Sequence, residues 1–253
     1  MAPDPYAWAW NAEALLAIPA LSIGYALALR RFPASRWQIG CFAAAMTLLL
    51  AVTVTPAETI GLNYLLTVHL VQNVVLAEWA PALALLGIPP ALAALLLPRV
   101  PAVPALLLWL GNYAVWHLPW IYDAALRNPH TLLHLEHALY FATGVLLWWP
   151  IVHGSHSPGF KAGYLFAAFA LASPIGLLLA LIPDAIYDFY VDAPERLWGL
   201  SPLADQQIAG VTMALEQAAV FFAAFALYFV RFFRQQDALE DDEARRPRAD
   251  GRD

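Results

Sequence analysis

Long apolar runs recur along the chain and constrain its fold more than any other feature of the sequence. Hydrophobic residues fill 61% of the 253 positions and charged residues only 13%, against a usual charged share of about 25% in soluble domains. A run of about twenty apolar residues crosses a bilayer as a helix, because a helix satisfies its own backbone polar groups in lipid. The sequence therefore predicts an all-α integral membrane protein.

Seven runs have the length and composition of membrane spans, and prolines, glycines or charged residues separate most of them. The predicted spans are residues 11–29, 37–55, 62–86, 104–122, 131–152, 160–182 and 206–233. We predict a seven-transmembrane-helix bundle as one domain over residues 1–233. Residues 234–253 are predicted to form a charged cytoplasmic tail that is disordered beyond its first turns.

The basic residues predict how this bundle is oriented, since cytoplasmic loops of membrane proteins are enriched in Lys and Arg. With the N-terminus outside and the C-terminus cytoplasmic, eleven of the thirteen basic residues fall on the inner side. Only Arg127 and Arg196 then fall on the outer side. An odd number of spans agrees with this orientation.

Five of the seven histidines fall near the outer end of the predicted bundle. His117, His130, His134 and His137 occupy about twenty residues, and His69 lies two turns into the third span. Imidazole binds transition metals and haem iron, and an ionisable group within a membrane is a functional candidate by default. The alternative is that some of these histidines cap helices or hydrogen-bond one another at the headgroups, His130 above all.

Other polar or soft side chains lie deeper in the predicted spans. Glu78 and Glu216 fall in mid-membrane, where a charged carboxylate costs a few kcal/mol, so each is expected to be protonated, paired or turned to a polar cavity. Met213 lies two turns into the seventh span, and its thioether suits Cu(I) or simply fills the packed bundle. Glu136 is predicted to point away from the neighbouring histidine face, toward Arg127 or another helix.

Several classes of protein are excluded or disfavoured by the sequence. The single Cys41 excludes an internal disulfide and a C-x-x-C metal site, and no basic face is present for nucleic acid. The string His134-Leu135-Glu136-His137 differs from the H-E-x-x-H and H-x-x-E-H patterns of zinc proteases. We therefore expect no catalytic residues and no enzyme.

Three blocks of the sequence resemble one family. Residues 69–90 read HLVQNVVLAEWAPALALLGIPP, residues 115–152 read VWHLPWIYDAALRNPHTLLHLEHALYFATGVLLWWPIV, and residues 204–213 read ADQQIAGVTM. Together they resemble the seven-helix CtaG-type cytochrome c oxidase assembly proteins, which are associated with caa-type oxidases. The blocks occur in the family's order and span most of residues 62–215.

The resemblance implies a chaperone of the bacterial plasma (inner) membrane, working with cytochrome c oxidase subunits to deliver copper or mature the oxidase copper site. On motif match, the candidate copper ligands are His69, His117, His134, His137 and Met213. Two departures weaken the match, since Leu70 replaces the motif's Met and Asn73 replaces its second His. Asn is a poor copper ligand, so the first block loses one donor.

Three other functions stay open from the residues alone. Histidines from two helices could ligate haem in a membrane b-type cytochrome. Glu78 and Glu216 could serve a proton-coupled transporter, although internal repeats of transporters are lacking. A scaffold that binds oxidase subunits without metal is the third alternative, and Asn73 favours it.

Overall fold

The computed structural model describes residues 3–97 and 99–245, and within these ranges the chain is helical with no β-strand. Two π-helical segments interrupt the α-helices, Val75–Trp79 after α4 and Pro129–Leu133 before α9. The α-helices are α1 (Ala12–Ala28), α2 (Arg36–Val54), α3 (Pro56–Asn63), α4 (Leu66–Val74), α5 (Ala80–Gly87), α6 (Pro90–Leu96), α7 (Ala102–Trp116), α8 (Pro119–Arg127), α9 (His134–Val152), α10 (Pro158–Leu181), α11 (Asp188–Val191) and α12 (Pro202–Arg245).

Five helical segments of the described chain are long and apolar enough to cross a membrane. They are Arg36–Val54, Leu66–Gly87, Pro129–Val152, Pro158–Leu181 and Pro202–Glu240. Helices α1 and α7 are also apolar but shorter, at 17 and 15 residues. The architecture is that of a multi-pass membrane protein.

Polar contacts gather the connecting segments at two opposite ends of the bundle. At one end, which we term the histidine end, residues 3–11, 55–66, 117–134 and 183–205 meet. Here Tyr190 donates to the carbonyl of Gly61, and Tyr187 donates to the carbonyl of His117. The described N-terminal segment joins this end through the bond from Thr59 to the Ala7 carbonyl.

The opposite end, which we term the arginine end, contains residues 25–36, 85–90, 151–161 and 228–234. Its contacts include the bond from Tyr25 to the Gly87 carbonyl and the approach of Arg231 to the Tyr228 ring. Lys161 donates to the Ile151 carbonyl. The five long segments and the two shorter apolar helices alternate between the two ends.

The fourth predicted span, residues 104–122, is shorter in the structure than the sequence analysis expects. Helix α7 ends at Trp116, and Leu118 adopts an extended conformation before Pro119 begins α8. Proline disfavours the helical conformation for the residue before it and is well tolerated in the first turn of a helix. The break leaves His117 at the C-terminus of α7, where its ring turns into the bundle.

The described part of the tail continues the last helix. Helix α12 runs without interruption to Arg245, so residues 234–245 form about three further turns. The predicted disorder beyond the first turns falls on residues 246–253, which lie outside the described residues.

Two close helix contacts set the positions of the polar side chains described below. A Cβ atom on Gly144 of α9 would collide with the Ala77 carbonyl of the first π-helical segment. A Cβ atom on Gly210 of α12 would collide with the backbone of Gly176 and Ala180 in α10. Small residues allow such close backbone approach between membrane helices, and these contacts bring α9 against the third span and α12 against α10.

Candidate functional site

His69 of α4 and His137 of α9 lie side by side at the histidine end. Their side chains are 0% and 8% exposed, and their ring centres are 5.9 Å apart. Two imidazoles that share one metal ion through bonds of about 2.0–2.1 Å have ring centres at most about 6.4 Å apart. The spacing of this pair is therefore compatible with a shared ion.

Four ring nitrogens of the buried histidines lack hydrogen-bond partners among the described residues. The unpartnered atoms are Nδ1 and Nε2 of His69, Nε2 of His117 and Nε2 of His137. A buried polar atom left without a partner costs about 1–3 kcal/mol, and such groups are normally paired. Imidazole nitrogens of this kind are good donors to copper and zinc.

Glu136 adds a carboxylate to this cluster. Its Oε1 atom lies 3.8 Å from Nε2 of His69 and accepts a hydrogen bond of 3.0 Å from the side-chain amide of Asn73. Of the two directions expected for Glu136, the structure shows the turn toward another helix. Asn73, which the sequence analysis treats as a lost ligand, instead orients this carboxylate.

His117 belongs to the same buried region through Tyr122. The Tyr122 ring centre lies 5.3 Å from that of His69 and 6.4 Å from that of His117. Nδ1 of His117 lies 2.8 Å from the Tyr113 carbonyl and donates to it, so the lone pair is on Nε2. A backbone carbonyl commonly orients a metal-ligating histidine in this way.

His134 lies apart from these rings, closer to the surface. Its side chain is 24% exposed, and its Nδ1 atom lies 3.3 Å from Oε1 of Glu13, while its ring centre is 6.0 Å from that of His130. A cavity of about 200 Å³ is lined by Glu13, His134 and His137. His134 and His137 therefore face one space from its outer and inner sides.

Met213 is not brought to the histidine rings. It lines a separate cavity of about 280 Å³ with Leu70, Val74 and Glu216. At 100° per residue, Leu70 and Val74 point about 100° and 140° away from His69 around the helix axis. The thioether is therefore on a different side of α4.

The histidine cluster is not a finished coordination sphere. Within residues 3–97 and 99–245, no three His, Cys, Asp or Glu side chains are arranged as a group that could hold a metal ion. His69, His137 and Glu136 are neighbours whose side chains would have to rotate to share an ion.

Asp205 explains much of the third sequence block. Both of its carboxylate oxygens accept from the backbone N–H groups of Leu66 and Thr67, and the Thr67 hydroxyl also donates to it. Helix α4 has no side-chain N-cap of its own, so α12 supplies the cap that begins the helix carrying His69. The sequence gives no local signal for this role, because Asp205 caps a helix 139 residues away in the chain.

Asp123 holds the second loop at this end. Its carboxylate accepts from the backbone N–H groups of Asp188 and Phe189, at the start of α11. Gln206 of α12 accepts from the Ile186 N–H of the same loop. These contacts fix residues 183–191 over the buried histidines.

Glu58 of α3 is a buried acid beside the histidine end. Its Oε2 atom accepts a hydrogen bond of 2.7 Å from Nε2 of Gln72. Burial raises the pKa of Glu58 to about 7, and His69 opposes this shift through its positive charge when protonated. The carboxyl is therefore partly protonated near neutral pH.

The helical segments define a multi-pass membrane protein, and buried imidazoles with a nearby carboxylate form a polar cluster at one of its ends. The model of the family described as cytochrome c oxidase caa3 assembly factor (Caa3_CtaG) matches residues 23–235, and the chain belongs to that family. No curated protein and no solved structure gives a significant match to the chain. The family match covers the buried histidines but not Glu13.

Proposed function

We propose that this protein is an oxidase assembly factor that binds copper transiently at the histidine end and helps to mature the oxidase copper site. Membership of an assembly-factor family supports the role. The observation that carries the copper step is the group of unpartnered nitrogens on His69, His117 and His137. The protein acts as a chaperone for its metal cargo, not as an enzyme.

The proposed ligands fall into a buried group that holds the ion and a more exposed histidine that receives it. His69 and His137 hold the ion between them, with the Glu136 carboxylate beside His69. His117 completes the buried set with its free Nε2 atom. His134, on the outer side of the shared cavity, receives the ion first.

Met213 keeps a secondary place in this proposal. It lines the neighbouring cavity behind α4, so it would bind Cu(I) only as a separate soft ligand. The three buried histidines and Glu136 do not depend on it.

The orientation of the bundle follows from its two ends. Arg30, Arg31, Arg36 and Lys161 lie at the arginine end, and the positive-inside rule places such residues in the cytoplasm. The five long segments, with α1 and α7, then make seven spans with the N-terminus outside and the C-terminus inside. In a bacterial plasma membrane the histidine end would face outward, toward oxidase subunits that require copper.

Haem is a weaker candidate for the ligand of these histidines. The cavity that reaches the buried His137 has a volume of about 200 Å³, below the ~300–1,000 Å³ typical of pockets for cofactors and drug-sized ligands. A second cavity of about 340 Å³ is lined by His130 and His134 but by none of the three buried histidines. A copper ion needs no such space.

Copper binding by the purified protein in lipid nanodiscs tests the proposal. We expect wild type to bind Cu(I) or Cu(II), and His69→Ala and His137→Ala to weaken binding at least about 100-fold, because each removes a donor. His156→Ala, which changes an exposed histidine in the loop between α9 and α10, should bind like wild type. Binding should also weaken as the pH falls, because ligation requires neutral imidazole.

The contrary outcomes separate the alternatives. The copper proposal would be wrong if the wild-type protein bound no copper and cells carrying His69→Ala and His137→Ala kept their oxidase activity. The remaining alternative would then be a scaffold that binds oxidase subunits without metal. A Soret band in the purified protein would indicate haem instead.

A further inference from the structure

Two glutamates that the histidine end does not use meet in the middle of the bundle. Glu78 lies in the π-helical segment of the third span and is 0% exposed. Glu216 lies on α12, and two crossed hydrogen bonds hold the two carboxyls close together: Gln217, next to Glu216, donates to Glu78, and Trp79, next to Glu78, donates to Glu216. π-Helical turns inside α-helices occur frequently at functional sites.

Neutral groups hold one oxygen of each carboxyl. Nε2 of Gln217 lies 3.2 Å from Oε1 of Glu78 and also donates to the Tyr113 hydroxyl at 2.9 Å. The indole N–H of Trp79 donates to Oε1 of Glu216. None of these donors carries a positive charge.

The remaining oxygens of the pair have no partner. Oε2 of Glu78, Oε2 of Glu216 and Oε1 of Gln217 are buried without a hydrogen bond among the described residues. No Lys or Arg in the described chain forms an ion pair with either carboxyl, and the titratable group next to the pair is Tyr113. Two adjacent carboxylates in a bilayer would each cost several kcal/mol if both were ionised.

A proton suits this arrangement better than a metal ion. Hard cations such as Ca²⁺ take six to eight oxygen ligands and Mg²⁺ takes six, and only two carboxyls, one amide and one phenol converge here. The cavity of about 280 Å³ beside Glu216 is lined largely by apolar side chains, among them Leu70, Val74 and Val220. A single proton shared by two carboxyls satisfies both Oε2 atoms without further ligands.

We propose that Glu78 and Glu216 form a mid-membrane proton-binding pair that holds one exchangeable proton at neutral pH. The proton forms an O–H bond on one carboxyl, and the other carboxylate accepts its hydrogen bond. Water reaching the cavity beside Glu216 supplies the proton and takes it back. This pair is separate from the buried histidines and does not depend on copper binding there, although Met213 lines the same cavity as Glu216.

Infrared spectroscopy of the wild-type protein in lipid nanodiscs tests the pair directly. We expect a carbonyl band of a protonated carboxylic acid at pH 7 that shifts to lower frequency after transfer to D₂O. The double variant Glu78→Gln/Glu216→Gln, which keeps the shape of both side chains, should lose this band. Each single variant should move the pH midpoint of the band, since the partner that shares the proton is gone.

Two matched variants separate this band from those of other acids. Glu58→Gln removes the other acid that is partly protonated near pH 7, and Glu240→Gln changes an exposed acid on the same helix as Glu216. The band of the pair should remain in both.

Three results would overturn the proposal: no acid band in wild type at pH 7, no exchange in D₂O, or a double variant that retains the full band. Copper binding is measured on the same samples. A wild-type protein that shows the band but binds no copper would contradict the proposed function alone. A wild-type protein that binds copper but lacks the band would contradict the proton pair alone.

Discussion

The buried acids of this protein form two groups that differ in what holds them. Asp205 and Asp123, at the histidine end, accept from backbone N–H groups in the first turns of helices. Three buried glutamates accept instead from side-chain amides on other helices. The pairs are Glu58 with Gln72, Glu78 with Gln217, and Glu136 with Asn73.

The difference lies in the charge that each donor brings. The N-terminus of a helix carries a partial positive charge that interacts favourably with an acidic cap. A carboxamide is neutral, and in all three pairs its own oxygen has no partner in the described chain. The capping acids therefore hold the starts of helices in place, whereas the amide-held acids are bonded to side chains that bring no positive charge.

Removing a capping acid should give the largest loss of stability. Asp205→Ala leaves the N–H groups of Leu66 and Thr67 without an acceptor at a buried helix start. We expect a loss of about 4 kcal/mol, since each buried unsatisfied donor costs about 1–3 kcal/mol. Thermal unfolding in detergent measures it. Asp205→Asn, which keeps one acceptor oxygen, should lose about half as much, and a loss below about 1 kcal/mol for Asp205→Ala would contradict the comparison.

The amide-held Glu58 should make the protein less stable as the pH rises. Because burial raises its pKa from 4.5 to about 7, the folded state binds more protons than the unfolded state between these values. Stability is therefore full below about pH 4.5 and falls by about 3 kcal/mol as the pH rises to about 7.

Glu58→Gln should remove this slope, because the neutral amide mimics the protonated acid. Melting temperatures between pH 4.5 and 8 provide the measurement, with Glu13→Gln as the control at an exposed acid of the same end. An unchanged slope in Glu58→Gln would place the titrating group elsewhere.

The smallest of the three effects is expected for Asn73, whose side-chain amide orients the Glu136 carboxylate beside the proposed copper site. Asn73→Ala removes the donor to Glu136, and loss of such a positioning contact typically weakens metal binding 10–100-fold, or about 1.4–2.7 kcal/mol. Copper titration measures the change. Asn112→Ala, which removes another amide of the bundle bonded to Trp116 and Thr143, should bind copper like wild type. Equal affinities for the Asn73 and Asn112 variants would remove Asn73 from the site.

Much of the helical architecture could be predicted because lipid forces the backbone to satisfy itself within each span. Helix α1 and four of the five long segments coincide with the predicted runs within a few residues, whereas α7 ends at Trp116 and not at residue 122, and the last helix runs past residue 233. The end of α7 before Pro119 could also have been predicted from the proline. The two π-helical segments could not, because a register shift inside an apolar helix depends on packing against its neighbours.

The site was predictable in its residue types but not in its pairings. Spacing and topology pointed to His69 and His137, which the structure brings together. The partners Asn73 and Glu136 are separated by 63 residues in the chain, and a single sequence carries no signal for such a contact. The helical wheel predicted that Glu136 could turn toward another helix, but it could not show that this helix carries His69 and Asn73.

The contacts of the last helix also mean that the bundle can complete its folding only after α12 has been synthesised. Helix α12 supplies Asp205 to the start of α4, and Gln217 to Glu78. Synthesis proceeds from the N-terminus, so the third span enters the membrane with its first turn uncapped and its central glutamate without a partner. The bundle reaches its final state only when its last-made span arrives, and a chain cut short before α12 would leave α4 and Glu78 incomplete and open to quality-control proteases.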